Sequence, residues 1–202
     1  MICVIDYGMG NLRSVSKALE KIGARVKVSS RSEDVREAEK LILPGVGAFG
    51  DGARELEKRA LSGPIRAALR EGKPFLGICL GMQLLFEESE ESPGTPGLSF
   101  FRGKVQRFRQ IQLKVPHMGW NDLKIKQPAL RILNGVEGQT YFYFVHSYYP
   151  VPEDSTLIAA TCDYSGEEFA ALVGYDRVWA SQFHPEKSQE AGLRVLENFI
   201  SL

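Results

Sequence analysis

The sequence predicts an α/β fold: a central mixed, mostly parallel sheet with helices on both faces, and a second half rich in strands. Two observations carry that expectation. Up to about residue 86, short β-branched runs alternate with segments of helical period, the pattern of parallel βαβ units whose helices cover both sheet faces. After the Pro/Gly-rich connection ESPGTPGLSF at 91–100, strand-like segments dominate.

The elements follow in order. Ile2 to Ile5 reads as a strand. Asn11 then caps a helix whose apolar positions Leu12, Val15, Leu19 and Ile22 recur at helical spacing, and Gly23 stops it. Val26 to Val28 and Leu41 to Leu43 are the next strands, the latter followed by the turn PGVGAFGDG and a helix through Leu56. Pro64 suits the first turn of a helix that ends at Gly72, and Phe75 to Ile78 is a buried strand running into Cys79. In the second half, strands are expected over Gly103 to Phe108, Asp122 to Ile125, Tyr141 to Val145, Leu157 to Thr161, Phe169 to Tyr175 and Val178 to Phe183. In the aromatic run YFYFVHSYY, alternation sends most rings into the core. Ser188 caps a closing helix with Leu193, Leu196, Phe199 and Ile200 on one face. The Pro/Gly connection is a candidate boundary, but neither half is large enough to stand alone, so one domain over residues 1–202 is expected.

Composition narrows the function. Lys plus Arg and Asp plus Glu both number 25, so no global field attracts nucleic acid or an anionic membrane. No apolar stretch approaches a membrane span, and MICVIDYGMGN has no basic segment ahead of a long apolar run, so no secretory signal is expected. Cys3, Cys79 and Cys162 are odd in number and far apart, which fits neither a disulfide framework nor a zinc site. Free thiols in a cytoplasmic protein, with no metal and no cofactor, are the expectation.

Gly77-Ile78-Cys79-Leu80-Gly81 has the form G-x-C-x-G, the thiol counterpart of the nucleophile elbow. Such a strand-to-helix turn strains the central residue, brings backbones together where only glycine fits, and presents an exposed nucleophile at the carboxyl end of the sheet, against a helix N-terminus. Alone, the same cysteine also fits a small core residue. A nucleophile needs a base and an orienting group. Of His117, His146 and His184, the last is the best placed: it ends a strand, Pro185 stiffens the turn, and Glu186 follows two residues on. The Gly8-x-Gly10 pair invites a dinucleotide reading, but Arg13 stands where a third glycine is needed and no acid ends the second strand.

With these residues in place, the sequence resembles the class I (triad) glutamine amidotransferases over essentially its whole length, and within them the glutaminase subunits of imidazole glycerol phosphate synthases. The motifs are DYGMGN (6–11), LPGVGAFGDG (43–52), GICLGMQLLFEESEE (77–91), PHMGWN (116–121), FVHSYY (144–149) and QFHPEKS (182–188). The resemblance implies Cys79 as nucleophile on glutamine, His184 as proton shuttle and Glu186 as its orienting acid. It implies oxyanion donors at Leu80, Val46 and Gly47, and glutamine binding by Gln83, Glu91 and the backbone of Ser147 and Tyr148. Nothing in the chain could consume ammonia, which implies a separate partner; the resemblance makes it a (β/α)8-barrel cyclase subunit, met through His117, Trp120, Asn121, Tyr143 and Lys187. Two other classes fit the elbow without these motifs: a stand-alone thiol hydrolase or peptidase, which turns over without a partner, and a non-enzymatic module with a core cysteine.

Overall fold

In the computed structural model, which describes residues 1–109, 114–127, 129–137 and 139–202, the first half is built as the alternation requires. Strands β1 (Ile2–Ile5), β2 (Val26–Ser29), β3 (Lys40–Gly45) and β4 (Phe75–Cys79) alternate with α1 (Leu12–Lys21), α2 (Ser32–Glu37), α3 (Phe49–Lys58) and α4 (Ser62–Arg70). The short helix α5 (Leu80–Gln83) leads to β5 (Glu88–Ser89), β6 (Gly103–Arg107), β7 (His117–Asp122), β8 (Lys124–Ile125), β9 (Tyr141–His146), β10 (Tyr148–Pro152), β11 (Ile158–Tyr164), β12 (Glu167–Tyr175), β13 (Val178–Ser181) and the closing helix α6 (Gln189–Ile200).

An eight-stranded sheet runs in the order β2-β1-β3-β4-β13-β12-β11-β8. The strands from β2 to β13 are parallel and the last three alternate in direction, so the sheet is mixed and mostly parallel. The two-residue period sorts each strand between two cores. Ile2 and Val4 face Val15 and Leu19 of α1 and Leu196 and Phe199 of α6. Cys3 and Ile5 face Val35 of α2, Leu56 of α3 and Leu69 of α4. Burial on both faces explains why these strands read as continuous apolar runs.

Three of the helix ends read from the sequence obey local chemistry, and the start of α6 does not. Asn11 accepts the Ser14 amide, and Gly23 and Gly72 take positive φ just past α1 and α4. Ser188 precedes α6 but makes no side-chain cap. Its hydroxyl donates instead to the His184 carbonyl at 2.7 Å and accepts the Tyr143 amide at 3.0 Å.

Two differences from expectation have physical causes, and the Pro/Gly connection shows what holds it in place. Helix α2 was not read because its SEDVRE segment buries little beyond Asp34 and Val35. The strand expected over Asp122 to Ile125 divides at Leu123: β7 pairs only with β9, whereas β8 joins the edge of the large sheet. The Pro/Gly connection is packed down, with Leu98 and Phe101 buried and Arg66 donating to the carbonyls of Gly97 and Leu98.

Candidate active site

Cys79 is the last residue of β4, paired in register with Gly45 of β3, and carries φ +53°. A non-glycine residue there costs of order 1–3 kcal/mol and persists only where its surroundings over-determine it. The two elbow glycines supply that constraint. A Cβ on Gly77 would fall 2.7 Å from the Gly81 carbonyl oxygen, and one on Gly81 would fall 1.8 Å from the Leu43 carbonyl oxygen. The turn is thus pressed against its own strand and against β3. The expectation of an exposed thiol is corrected: Cys79 is 5% exposed, set within a pocket and not on the outer surface. Gln182 Nε2 donates to its sulfur at 3.6 Å, and the sulfur lies 3.9 Å from the Val145 carbonyl oxygen.

His184 follows β13, the strand beside β4, so the sheet itself brings imidazole and thiol together. The 3-10 turn Pro185–Lys187 folds Glu186 back until Oε1 lies 2.9 Å from His184 Nδ1. Nδ1 therefore carries a proton toward the carboxylate, and Nε2, buried and without another partner among the described residues, is left for the thiol. Burial by itself would depress the pKa of His184. The Cys79 sulfur, as acceptor of a hydrogen bond from the charged ring and as a negative charge, and then the Glu186 carboxylate in the same two ways, outweigh it and push the value up to about 10.

A cavity of about 310 Å³ opens over Cys79, and Val46, Gly47, Leu80, Gln83, Glu91, Ser147 and Tyr148 all line it. Every residue assigned above to the oxyanion hole or to substrate therefore meets at one place, drawn from four segments of the chain. Gln83 Nε2 donates to the Tyr148 carbonyl at 2.9 Å and contacts Gln182 Oε1 at 3.2 Å. Glu91 Oε2 accepts the Phe49 amide at 2.7 Å, capping α3 where Ala48 has no side chain able to do so.

Sequence reasoning missed three contributors. Gln182 links Gln83 to the thiol, Ser188 ties the His184 backbone to β9, and His146 lines the cavity. The signal for the first two was their position inside QFHPEKS. His146 Nδ1 lies 2.9 Å from the Tyr148 carbonyl, which only accepts, so Nδ1 is protonated and Nε2 accepts from His117 Nδ1 at 3.3 Å. Burial drives the pKa of His117 down to about 4. It drives that of His146 down to about 3, with the charges of His117 and His184 assisting against the Tyr148 bond.

The residues expected at a partner face are divided. Trp120 is 46% exposed and packs edge-on to Tyr143, with ring centroids 6.0 Å apart; Lys187 Nζ stands 5.4 Å from the Tyr143 centroid. Exposed Met118 and Tyr141 extend this apolar face and were not foreseen. Asn121 spends its amide on the Asp163 carbonyl at 2.8 Å. His117 is corrected: it is 3% exposed, enclosed by Phe108, Phe144, Tyr164 and Phe169, and belongs to the core beneath the face.

Comparison with known proteins bears on this arrangement directly. The sequence model of the glutamine amidotransferase class-I family matches residues 3–202. An imidazole glycerol phosphate synthase subunit HisH from Syntrophotalea carbinolica is 53% identical over 205 residues, covering 98% of each chain. One from Geobacter sulfurreducens is 52% identical over 206 residues, covering 98% of this chain and 97% of the relative. Among solved structures, PurLQS from Thermotoga maritima superposes with a TM-score of 0.77 at 22% identity, covering 99% of this chain and 97% of that one. A glutamine amidotransferase structure gives 0.74 at 22% identity, covering 100% and 98%; both likenesses speak to the fold alone. With the elbow cysteine, the partnered histidine and a family match that spans the whole sheet, the chain belongs to the class-I glutamine amidotransferases.

Proposed function

We propose that this chain is the glutaminase subunit of an imidazole glycerol phosphate synthase. It hydrolyses glutamine to glutamate and passes the ammonia to a (β/α)8-barrel cyclase subunit, which forms imidazole glycerol phosphate and AICAR in histidine biosynthesis. The observation that carries the chemistry is His184, buried between Cys79 and Glu186, with no partner for Nε2 other than the thiol among the described residues. The relatives at 53% and 52% identity support the pathway.

Cys79 gives its proton to His184 Nε2, and Sγ attacks the side-chain amide carbon of glutamine. The carbonyl electrons move to oxygen, where the Leu80 amide and the amides of Val46 and Gly47 receive the charge. His184 then protonates the nitrogen, the C–N bond breaks, ammonia leaves and a thioester remains. Water repeats the sequence in reverse: its proton goes to His184, its oxygen takes the acyl carbon, the C–S bond breaks and the thiol is restored. Glu186 holds the imidazole through Nδ1. Gln83, Glu91 and the backbone at Ser147 and Tyr148 hold the α-amino and α-carboxylate groups. Ammonia released into water becomes ammonium, which is no nucleophile, so the product is useful only to a docked partner.

No helix among the described residues is long and apolar enough to cross a membrane, and three free buried cysteines support a cytoplasmic location. The test is glutamate release from glutamine by the chain alone, then with the barrel cyclase subunit and its nucleotide substrate. Weak release alone and strong release in the complex are expected. Equal release in both would remove the partner-gated reading, and none in either would remove the glutaminase.

A further inference from the structure

A phenol stands buried and unpaired beneath the loop that the proposed mechanism uses. Tyr7 follows β1, is fully buried, and its hydroxyl has no hydrogen-bond partner among the described residues. Native interiors rarely leave such a group unpaired, so each instance calls for a reason. The hydroxyl is seated on Gly45: a Cβ there would lie 2.1 Å from it and 2.9 Å from Leu80 Cβ. Its tip therefore occupies the space that any other residue at position 45 would need, between the end of β3 and the residue after the nucleophile. Gly10 closes the same gap from another side, where its own Cβ would fall 3.3 Å from Gly45 Cα. Burial, with the charge of Cys79 adding to it, raises the phenol pKa far above its ordinary range, so the group stays a neutral O–H donor.

A peptide's N–H and C=O point in opposite directions. The rotation that aims the Val46 N–H at a developing oxyanion therefore aims the Gly45 carbonyl the opposite way, away from that oxyanion. A carbonyl turned there needs a donor, and the idle one is Tyr7. We propose that Tyr7 is a positioning residue for the oxyanion hole, its hydroxyl donating to the Gly45 carbonyl when the Gly45–Val46 peptide turns its N–H toward the reacting carbon's oxygen. The inference rests on the glutaminase reading above and adds to it the group that holds the active arrangement of the loop.

Tyr7→Phe removes the hydroxyl and nothing else. With glutamine as substrate and the barrel cyclase subunit at saturation, kcat should fall about tenfold, equivalent to about 1.4 kcal/mol. KM for glutamine should stay within about twofold, because the hydrogen bond forms only in the turned loop. The Tm of the isolated chain should hold or rise, since the phenol makes no bond among the described residues of the isolated chain. An unchanged kcat would overturn the assignment, as would a fall in Tm of several degrees, which would mean that the hydroxyl is already bonded. A wild-type chain without Cys79-dependent turnover would remove the glutaminase reading and this one together, whereas an active Tyr7→Phe removes this one alone.

Discussion

His184 Nδ1 lies 2.9 Å from Glu186 Oε1, and the two side chains are 2% and 1% exposed. A contact so short between residues only two apart needs the 3-10 turn begun by Pro185. Glu186→Gln keeps the shape but removes the charge and presents an amide that can donate to Nδ1, which favours the wrong tautomer. The expected result is a fall in kcat of about 100- to 10,000-fold with little change in KM. Steady-state kinetics of the saturated complex would read it, and a loss below about tenfold would take Glu186 out of the triad.

The proton on His184 offers a second check. A folded pKa near 10 lies above the unfolded value, so this group stabilises the fold below about pH 6.5 and that contribution is lost as pH rises through 10. Histidine NMR should find the ring protonated well above neutrality in the wild type. Because Cys79 provides the leading upward effects, Cys79→Ala should lower the titration while abolishing glutamine hydrolysis and sparing the fold. An unshifted titration would mean that the thiol is not the imidazole's partner.

The elbow glycines should differ sharply from an ordinary helix glycine. Gly81→Ala drives a Cβ to 1.8 Å from the Leu43 carbonyl oxygen, so β3 or the nucleophile must move, at a cost of about 3 kcal/mol or more. Gly63, exposed in α4, has nothing among the described residues within 4 Å of its would-be Cβ, and Gly63→Ala should stabilise by about 0.5–1 kcal/mol. Thermal melts of the two variants should move in opposite directions.

How much of this was legible in the sequence follows from how local each device is. The elbow is written in five residues and the histidine–glutamate pair in three, so both could be found by spacing. The Gln83–Gln182 contact joins residues 99 apart, and the Glu91 cap on Phe49 joins residues 42 apart. No periodicity encodes such bonds; they exist because β3, β4 and β13 are neighbours in the sheet. His117 was misplaced for the same reason: its motif marks a family, whereas its burial is decided by the rings of Phe108, Phe144, Tyr164 and Phe169.

The His117–His146 pair should make the fold acid-sensitive. With folded values near 4 and 3, both rings stay neutral in the folded chain at pH 5, while the unfolded chain protonates them below about pH 6.5. Stability is therefore lost as pH falls from about 6.5, by about 2 kcal/mol per histidine at pH 5. Urea unfolding at pH 7 and pH 5 should show the difference, and His117→Gln should remove about half of it whatever its effect at pH 7. A pH response as large as that of wild type would exclude His117 as a contributor.

The exposed aromatic face should divide binding from activation. Trp120 offers area, and removing an interfacial tryptophan commonly costs about 2 kcal/mol of affinity, or about 30-fold. Tyr143 is placed differently: its carbonyl accepts the His184 amide at 2.9 Å, its own amide donates to Ser188 Oγ, and Lys187 Nζ sits over its ring. A partner that engages Lys187 and Tyr143 thus presses on the segment that holds the imidazole. Trp120→Ala should weaken cyclase binding with a near-normal rate at saturation, whereas Lys187→Ala should lower the stimulated kcat even when the complex is full. Calorimetric titration paired with glutamate release separates the two. If Lys187→Ala changes affinity alone, the face is adhesive only, and the signal to the thiol must enter through the loop beneath Gly45.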